Sequence, residues 1–229
     1  MSGNAIISKR QYLKKIINTF CPKILLQISP KKNWVKSHWK NQNAGEIHGY
    51  DNYCTDHPVT AVVLPEIDRI VPKEATILDI GCNCGYYLSR LKQEGYSHLT
   101  GIDICGNAIN YGKTHLNLSD VEMITGSFEE VLPRLCSENR KFSLVYTVGA
   151  TVELVHPSFD IIKYICEISD EYVVLIISLW GHDYPRFWEF EFEQNGFILV
   201  KQITPYDGNT DAIRDPSHVT SLLVFKRIQ

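Results

Sequence analysis

The first 45 residues contain no aspartate or glutamate, while nine lysines and arginines fall among them. This leaves 14 basic against 26 acidic residues in the rest, so a formal net charge of −3 conceals a basic arm on a body of −12. The chain also lacks any apolar run near the roughly 18 residues a membrane span needs. Its N-terminus has neither the long apolar core nor the small-residue cleavage site of a signal peptide. Seven cysteines form no even, regularly spaced framework, which points to buried thiols in a reducing cytoplasm. Cys82-x-Cys84 invites a metal reading, but no second pair with zinc-ligand spacing follows it, and no metal is expected. With 229 residues and 44% hydrophobic content, the chain suffices for one full core plus an appendage.

What is present centres on Thr76-Ile-Leu-Asp-Ile-Gly-Cys-Asn-Cys-Gly-Tyr-Tyr-Leu88. The apolar run Ile77 to Ile80 reads as a buried parallel strand. A glycine turn from Gly81 to Gly85 leads into a helical pattern that stops at Gly95. Such a unit places backbone N–H groups and a helix N-terminus at the edge of a sheet where open α/β sheets bind ligands. Asp103 closes the next strand, where a carboxylate can accept both hydroxyls of a ribose. A turn plus a ribose acid points to a nucleoside cofactor. The dinucleotide fingerprint G-x-G-x-x-G is excluded, because positions 83 and 86 hold Asn and Tyr instead of glycine.

The acid Asp79, two residues before Gly81, followed by G-x-x-x-G, resembles the first motif of class I S-adenosylmethionine-dependent methyltransferases, D/E-x-G-x-G-x-G. Asn83 stands at the middle glycine; asparagine is the next residue to tolerate a left-handed backbone. Downstream, strand and helix patterns alternate. A helix is expected near 108–116 and a strand over 121–125. A helix around 131–135 has Pro133 near its start, and a strand covers 142–147. Pro157-Ser158 opens a helix, 172–178 is a central strand, and Pro185 opens the last helix. Strands over 197–203 and 219–228 have no helical pattern between them and must pair antiparallel. The expectation is therefore an α/β fold: a seven-stranded, mostly parallel, Rossmann-like methyltransferase sheet with an antiparallel last strand and helices on both faces. The resemblance also divides the chain, with a basic helix and aromatic lid over 1–58 and the methyltransferase domain over 59–229.

The resemblance implies S-adenosylmethionine as cofactor. Asp79, Gly81, Asn83 and Gly85 would serve its methionine part, Asp103 its ribose, and Ile104 its adenine. Ser127, where the family often has Asp, and Phe128 would complete the adenine slot, and Thr147 would lie near the transferred methyl. Glu153, where relatives often carry His, and His156 are the candidate bases. No Asn/Asp-Pro-Pro-aromatic tetrapeptide and no Pro-Cys pair follows the fourth strand, which argues against DNA amine and cytosine-C5 chemistry.

Around the site, the aromatic stretch 34–58 reads either as a cover, with Trp39, Tyr50 and Tyr53 facing cofactor or substrate, or as a surface strap. After it, the run from Pro58 to Ile70 reads as a helix broken or kinked near Pro65. For the basic arm three readings compete. It is a helical lid whose apolar face, Leu13, Ile16, Ile17 and Phe20, docks on the domain with solvated lysines; a dock for an anionic partner; or a transit segment. Arg186, Arg214, His182, His218 and Tyr184 together form a candidate clamp for a small anion such as a phosphate. A diffuse likeness to methyltransferases of bacterial cell-surface saccharide pathways favours a small polar, phosphorylated or sugar-linked acceptor methylated at N or O. The alternatives are an RNA or protein methyltransferase docking through the basic segment, and a non-catalytic protein that binds the cofactor to regulate a partner. Nucleic acid is the less favoured partner, and the oligomeric state is open.

Overall fold

The computed structural model describes residues 8–28, 33–149, 152–180, 183–205 and 220–228. Its centre is a seven-stranded sheet. The strands are β1 Thr76–Ile80, β2 His98–Asp103, β3 Glu122–Thr125, β4 Phe142–Val148, β5 Ser169–Ser178, β6 Phe197–Ile203 and β7 Thr220–Arg227. They lie in the order β3-β2-β1-β4-β5-β7-β6. β7 runs antiparallel to both β5 and β6, and the other pairs are parallel. The order reverses between β1 and β4. Loops leaving the C-terminal ends of those two strands diverge to opposite sides and open a crevice.

The helices are α1 Lys9–Phe20, α2 Pro22–Ile28, α3 Asn33–Lys40, α4 Thr60–Ile70, α5 Tyr86–Gln93, α6 Gly106–His115, α7 Phe128–Ser137, α8 Ile161–Ile168 and α9 Trp188–Glu193. Alternate strand residues feed two cores. Leu78, Ile80, Val145 and Leu175 pack with Leu132, Leu135, Ile161 and Ile165 on one face. Ile77, Leu144, Val174 and Ile176 pack with Val63, Ile67, Leu88 and Leu91 on the other. A strand covered on both faces must be apolar at every step, which is why the central strands show no alternation.

Prolines mark fewer boundaries than their positions suggest. α4 runs unbroken through Pro65, and Pro133 is the sixth residue of α7. α8 starts after Pro157-Ser158, at a cap where the Asp160 side chain accepts from the Lys163 N–H at 3.2 Å. Likewise α9 starts at Trp188, three residues past Pro185.

The basic arm docks the opposite way round from an apolar-face lid. Lys15 and Asn18 are buried, whereas Leu13 and Phe20 are 55% and 53% exposed. Asn18 donates to the Pro185 carbonyl at 2.8 Å, and the Thr19 hydroxyl accepts from the Phe187 N–H at 3.0 Å. The Lys15 ammonium sits 3.8 Å from the Trp180 ring centroid, and burial pushes its pKa down to about 8. Polar groups on α1 thus satisfy the backbone of the segment after β5, where no regular ladder would do so.

Candidate active site

Asp79, the penultimate residue of β1, is buried and accepts a hydrogen bond from the Tyr146 hydroxyl at 2.8 Å. Burial pushes its carboxyl up to about 7, although the Tyr146 bond favours the charged form. The chain then turns through Gly81, Asn83 and Gly85, whose φ angles are 76°, 52° and 77°. Asparagine meets the left-handed demand at its position. The N–H groups of Gly81 and Cys82 both donate to the Ile102 carbonyl, at 2.8 and 2.9 Å, which ties the turn to β2.

Asp103 bridges two loops. Its Oδ2 accepts from the Asn83 N–H at 2.9 Å and its Oδ1 from the Cys105 N–H at 2.8 Å. Burial raises its pKa, and these backbone donors pull the other way. Gly85 serves the turn rather than the crevice. A Cβ there would stand 2.7 Å from Leu118 Cδ1 and 2.9 Å from Met123 Cε, the movable ends of two side chains, so the left-handed φ of 77° is the firmer demand for glycine.

The crevice is a cavity of about 340 Å³. Asp79, Gly81, Asn83, Asp103, Ile104, Ser127 and Phe128 line it, as do Trp39, Tyr53, His156 and Tyr184. Helix α3 contributes Val35, Lys36 and Trp39, and the Lys36 ammonium pairs with the Glu129 carboxylate of α7 at 2.7 Å. Both partners keep solvent access, so the pair is a weak clasp. Ser127 directs its N–H and O–H to Glu130, at 3.0 and 2.8 Å, closing the first turn of α7. Its hydroxyl proton is therefore committed within the helix cap.

Four other candidates lie elsewhere among the described residues. Thr147 is buried behind the wall that Val148 and Gly149 form. Tyr50 packs on Tyr111, ring centroids 5.3 Å apart. Arg186 is buried in an ion pair with Glu191 at 2.9 Å and so is no clamp for a ligand in this cavity. Glu153 is fully buried behind the cavity in a one-turn 3-10 helix, Val152–Leu154. Its Oε1 accepts from the Ser178 N–H at 2.8 Å, and its backbone carbonyl accepts from the Tyr184 N–H at 2.9 Å. Burial pushes its carboxyl up to about 8. It fastens the loop after β4 to the end of β5 and does not itself line the cavity. His182, Arg214 and His218 lie outside the described residues.

His156 does face the cavity. Its Nδ1 accepts from the Ser158 N–H at 3.1 Å and lies 2.9 Å from the Ser158 hydroxyl. A backbone N–H can only donate, so the neutral ring carries its proton on Nε2. The ring meets Tyr184 edge-on at 5.1 Å. The lining residues that sequence reasoning missed are Val35, Lys36, Cys82, Tyr86, Tyr87, Glu129, Val148, Gly149, Leu154 and Val155. Tyr86 and Tyr87 had a signal, since they open the helix that follows the glycine turn. Leu154 and Val155 had none.

The donor set fits S-adenosylmethionine. Asp79 has a hydroxyl but no cation beside it among the described residues, and the cofactor's ammonium would supply one. Asp103 offers a carboxylate suited to ribose hydroxyls, and Ile104 and Phe128 offer apolar faces suited to adenine.

Comparison with known proteins agrees. Residues 77–170 match a family model described as a methyltransferase domain. Among solved structures, magnesium protoporphyrin IX methyltransferase from Synechocystis PCC 6803 with bound S-adenosylmethionine superposes with a TM-score of 0.57. That match has 12% identity and covers 98% of this chain and 100% of the other. A TehB-like methyltransferase from Corynebacterium glutamicum gives 0.56 at 17% identity, covering 78% and 98%. The ribosomal protein L11 methyltransferase of Lactobacillus gasseri is 34% identical over 68 residues. That segment is 30% of this chain and only 22% of that relative's length. In its sheet order the chain has the fold of these S-adenosylmethionine-dependent methyltransferases, and its segment 77–170 matches a methyltransferase domain.

Proposed function

We propose that this chain moves the methyl group of S-adenosylmethionine to a nitrogen or oxygen of a small polar acceptor held beside His156 and Tyr184. The observation that carries the reading is one roofed cavity. Two carboxylates, Asp79 and Asp103, enter it from β1 and β2, and a histidine–tyrosine pair enters from the loops after β4 and β5. The bound cofactor supplies an already activated methyl. The protein's task is then to align the acceptor, exclude water and let a proton leave. Trp39, Tyr53, Phe128 and Tyr184 give the cavity apolar walls that shed water.

His156, which lines the cavity, orients the acceptor. It acts as a base only if the Ser158 N–H gives up Nδ1. With Glu153 behind the wall, catalysis rests mainly on positioning. Arg186 is taken by Glu191, so a phosphate on the acceptor would rely on Arg214, His182 or His218.

The match to the ribosomal protein L11 methyltransferase supports a second reading, a protein acceptor. The test is S-adenosylhomocysteine release over a panel of small amines, sugars, nucleotide-sugars and a ribosomal protein extract, with His156→Asn beside the native chain. The proposal expects turnover on a small acceptor that falls roughly 10–100-fold in His156→Asn, the worth of one hydrogen bond to a group developing charge. Cofactor affinity should hold. Turnover confined to the protein extract would overturn it.

A further inference from the structure

α1 is amphipathic, yet it turns its polar side to the protein. Lys15, Asn18 and Thr19 share the face that meets Trp180, Pro185 and Phe187. At 100° per residue Leu13 falls on the opposite face and Phe20 at its edge, where its ring also meets Phe187 at 6.0 Å, and both are about half exposed. The stripe continues onto α2 through Ile24, 51% exposed, and meets Phe190 of α9, which lies 5.1 Å from the Phe20 ring. Lys9, Arg10 and Lys23 flank it, all exposed. A helix fixed to its domain by hydrogen bonds and a cation–ring contact has no need of an outward aliphatic stripe for folding. Apolar side chains left in water at such a position mark a contact surface.

We propose that the outer face of α1 and α2 docks on an anionic lipid surface, lying in the headgroup plane. Charge complementarity selects this occupant. Residues 1–45 hold nine basic and no acidic side chains against a body of net −12, so a negatively charged bilayer attracts the arm and repels the rest. That polarity fixes the orientation as well as the contact. Glu189 and Glu193 on α9 are exposed and bound the patch on that side, which leaves Phe190 at the rim. A nucleic acid would use the cations but gain nothing from Leu13 or Ile24. The helix lies on the bilayer rather than crossing it, since no helix among the described residues is long and apolar enough to span.

Sedimentation of the full chain with phosphatidylcholine vesicles, and with vesicles containing about a third phosphatidylglycerol, tests this. The expected result is binding to the anionic vesicles, roughly tenfold or more stronger than to neutral ones, and release at high salt. The double substitution Leu13→Gln with Phe20→Gln changes two half-exposed positions, of which Phe20 also gives up its ring contacts with Phe187 and Phe190. It should lower vesicle binding roughly tenfold or more while S-adenosylmethionine affinity and circular dichroism stay unchanged. Should that variant misfold, Lys9→Gln with Arg10→Gln removes charge alone and carries the same expectation. Three outcomes overturn the proposal: no vesicle binding, equal binding to neutral and anionic vesicles, or binding unaffected by both double variants. Self-association without vesicle binding, abolished by Leu13→Gln with Phe20→Gln, would assign the face to a second copy. RNA binding without vesicle binding, lost only on removing Lys9 and Arg10 charge, would assign it to nucleic acid.

Discussion

Replacing Asp79 with asparagine separates what this residue costs the fold from what it gives the cofactor. Asn keeps the size and can still accept the Tyr146 hydroxyl bond, but it cannot ionise. Burial moves the Asp79 carboxyl from 3.8 to about 7. Each tenfold change in proton affinity is worth about 1.4 kcal/mol, so holding this group ionised at pH 8 costs the cofactor-free protein about 4 kcal/mol. The sign follows from the folded state binding the proton more tightly. Asp79's contribution is fully present below about pH 4 and is lost as pH rises through about 7. Urea unfolding of both proteins from pH 5 to pH 8 reads the difference, and the other buried carboxyls cancel in it. Asp79→Asn should gain on the native chain as pH rises and level off above about 7, by about 2.6 kcal/mol between pH 5 and pH 8, the rest of the roughly 4 kcal/mol falling below pH 5.

Cofactor binding should show the reverse. Only the ionised carboxyl pairs with the ammonium, so native affinity should rise roughly tenfold per pH unit up to about 7 and then level. Asp79→Asn should bind with little pH dependence and, at pH 8, roughly 10–100-fold more weakly. A stability difference that stays flat with pH would refute the reasoning, because it would mean that Asp79 titrates as an ordinary surface acid.

Further outcomes concern the other residues of the site. Asp103→Ala should weaken S-adenosylmethionine binding by about 1.5–3 kcal/mol in a calorimetric titration, through loss of charge-assisted hydrogen bonds; unchanged binding would show that the ribose acid is elsewhere. Glu153→Gln should leave turnover near native at pH 7, since burial already holds the acid protonated below about 8. Its benefit to stability should grow as pH rises from about 4.5 and level off above about 8; a hundredfold loss of turnover would instead make Glu153 a base. With α3 and Tyr53 over the cavity, the cofactor should slow hydrogen exchange across 33–58. Trp39→Ala should erase that protection, whereas protection seen only with RNA or lipid would mean the segment does not cover the cofactor.

The sequence by itself determined the sheet and the cofactor end of the crevice. Those features are local: a strand, a left-handed turn and a strand-terminal acid are written in consecutive residues. That is why Asp79, Gly81, Asn83 and Asp103 can be named from a short motif and the family it resembles. Antiparallel pairing of β6 and β7 was legible too, because no helix lies between them to return the chain.

Tertiary structure decided which polar residues face inward to the cavity and which serve the frame. Glu153 and His156 are three residues apart, and a single 3-10 turn sends the first to Ser178 and the second to the cavity wall. Arg186 faces Glu191 because α9 begins three residues later than its proline suggests. The α1 pattern reveals an amphipathic helix but not which face meets the protein. A periodicity has no inside until a partner surface exists, and here the backbone after β5 takes the polar side through Asn18 and Thr19.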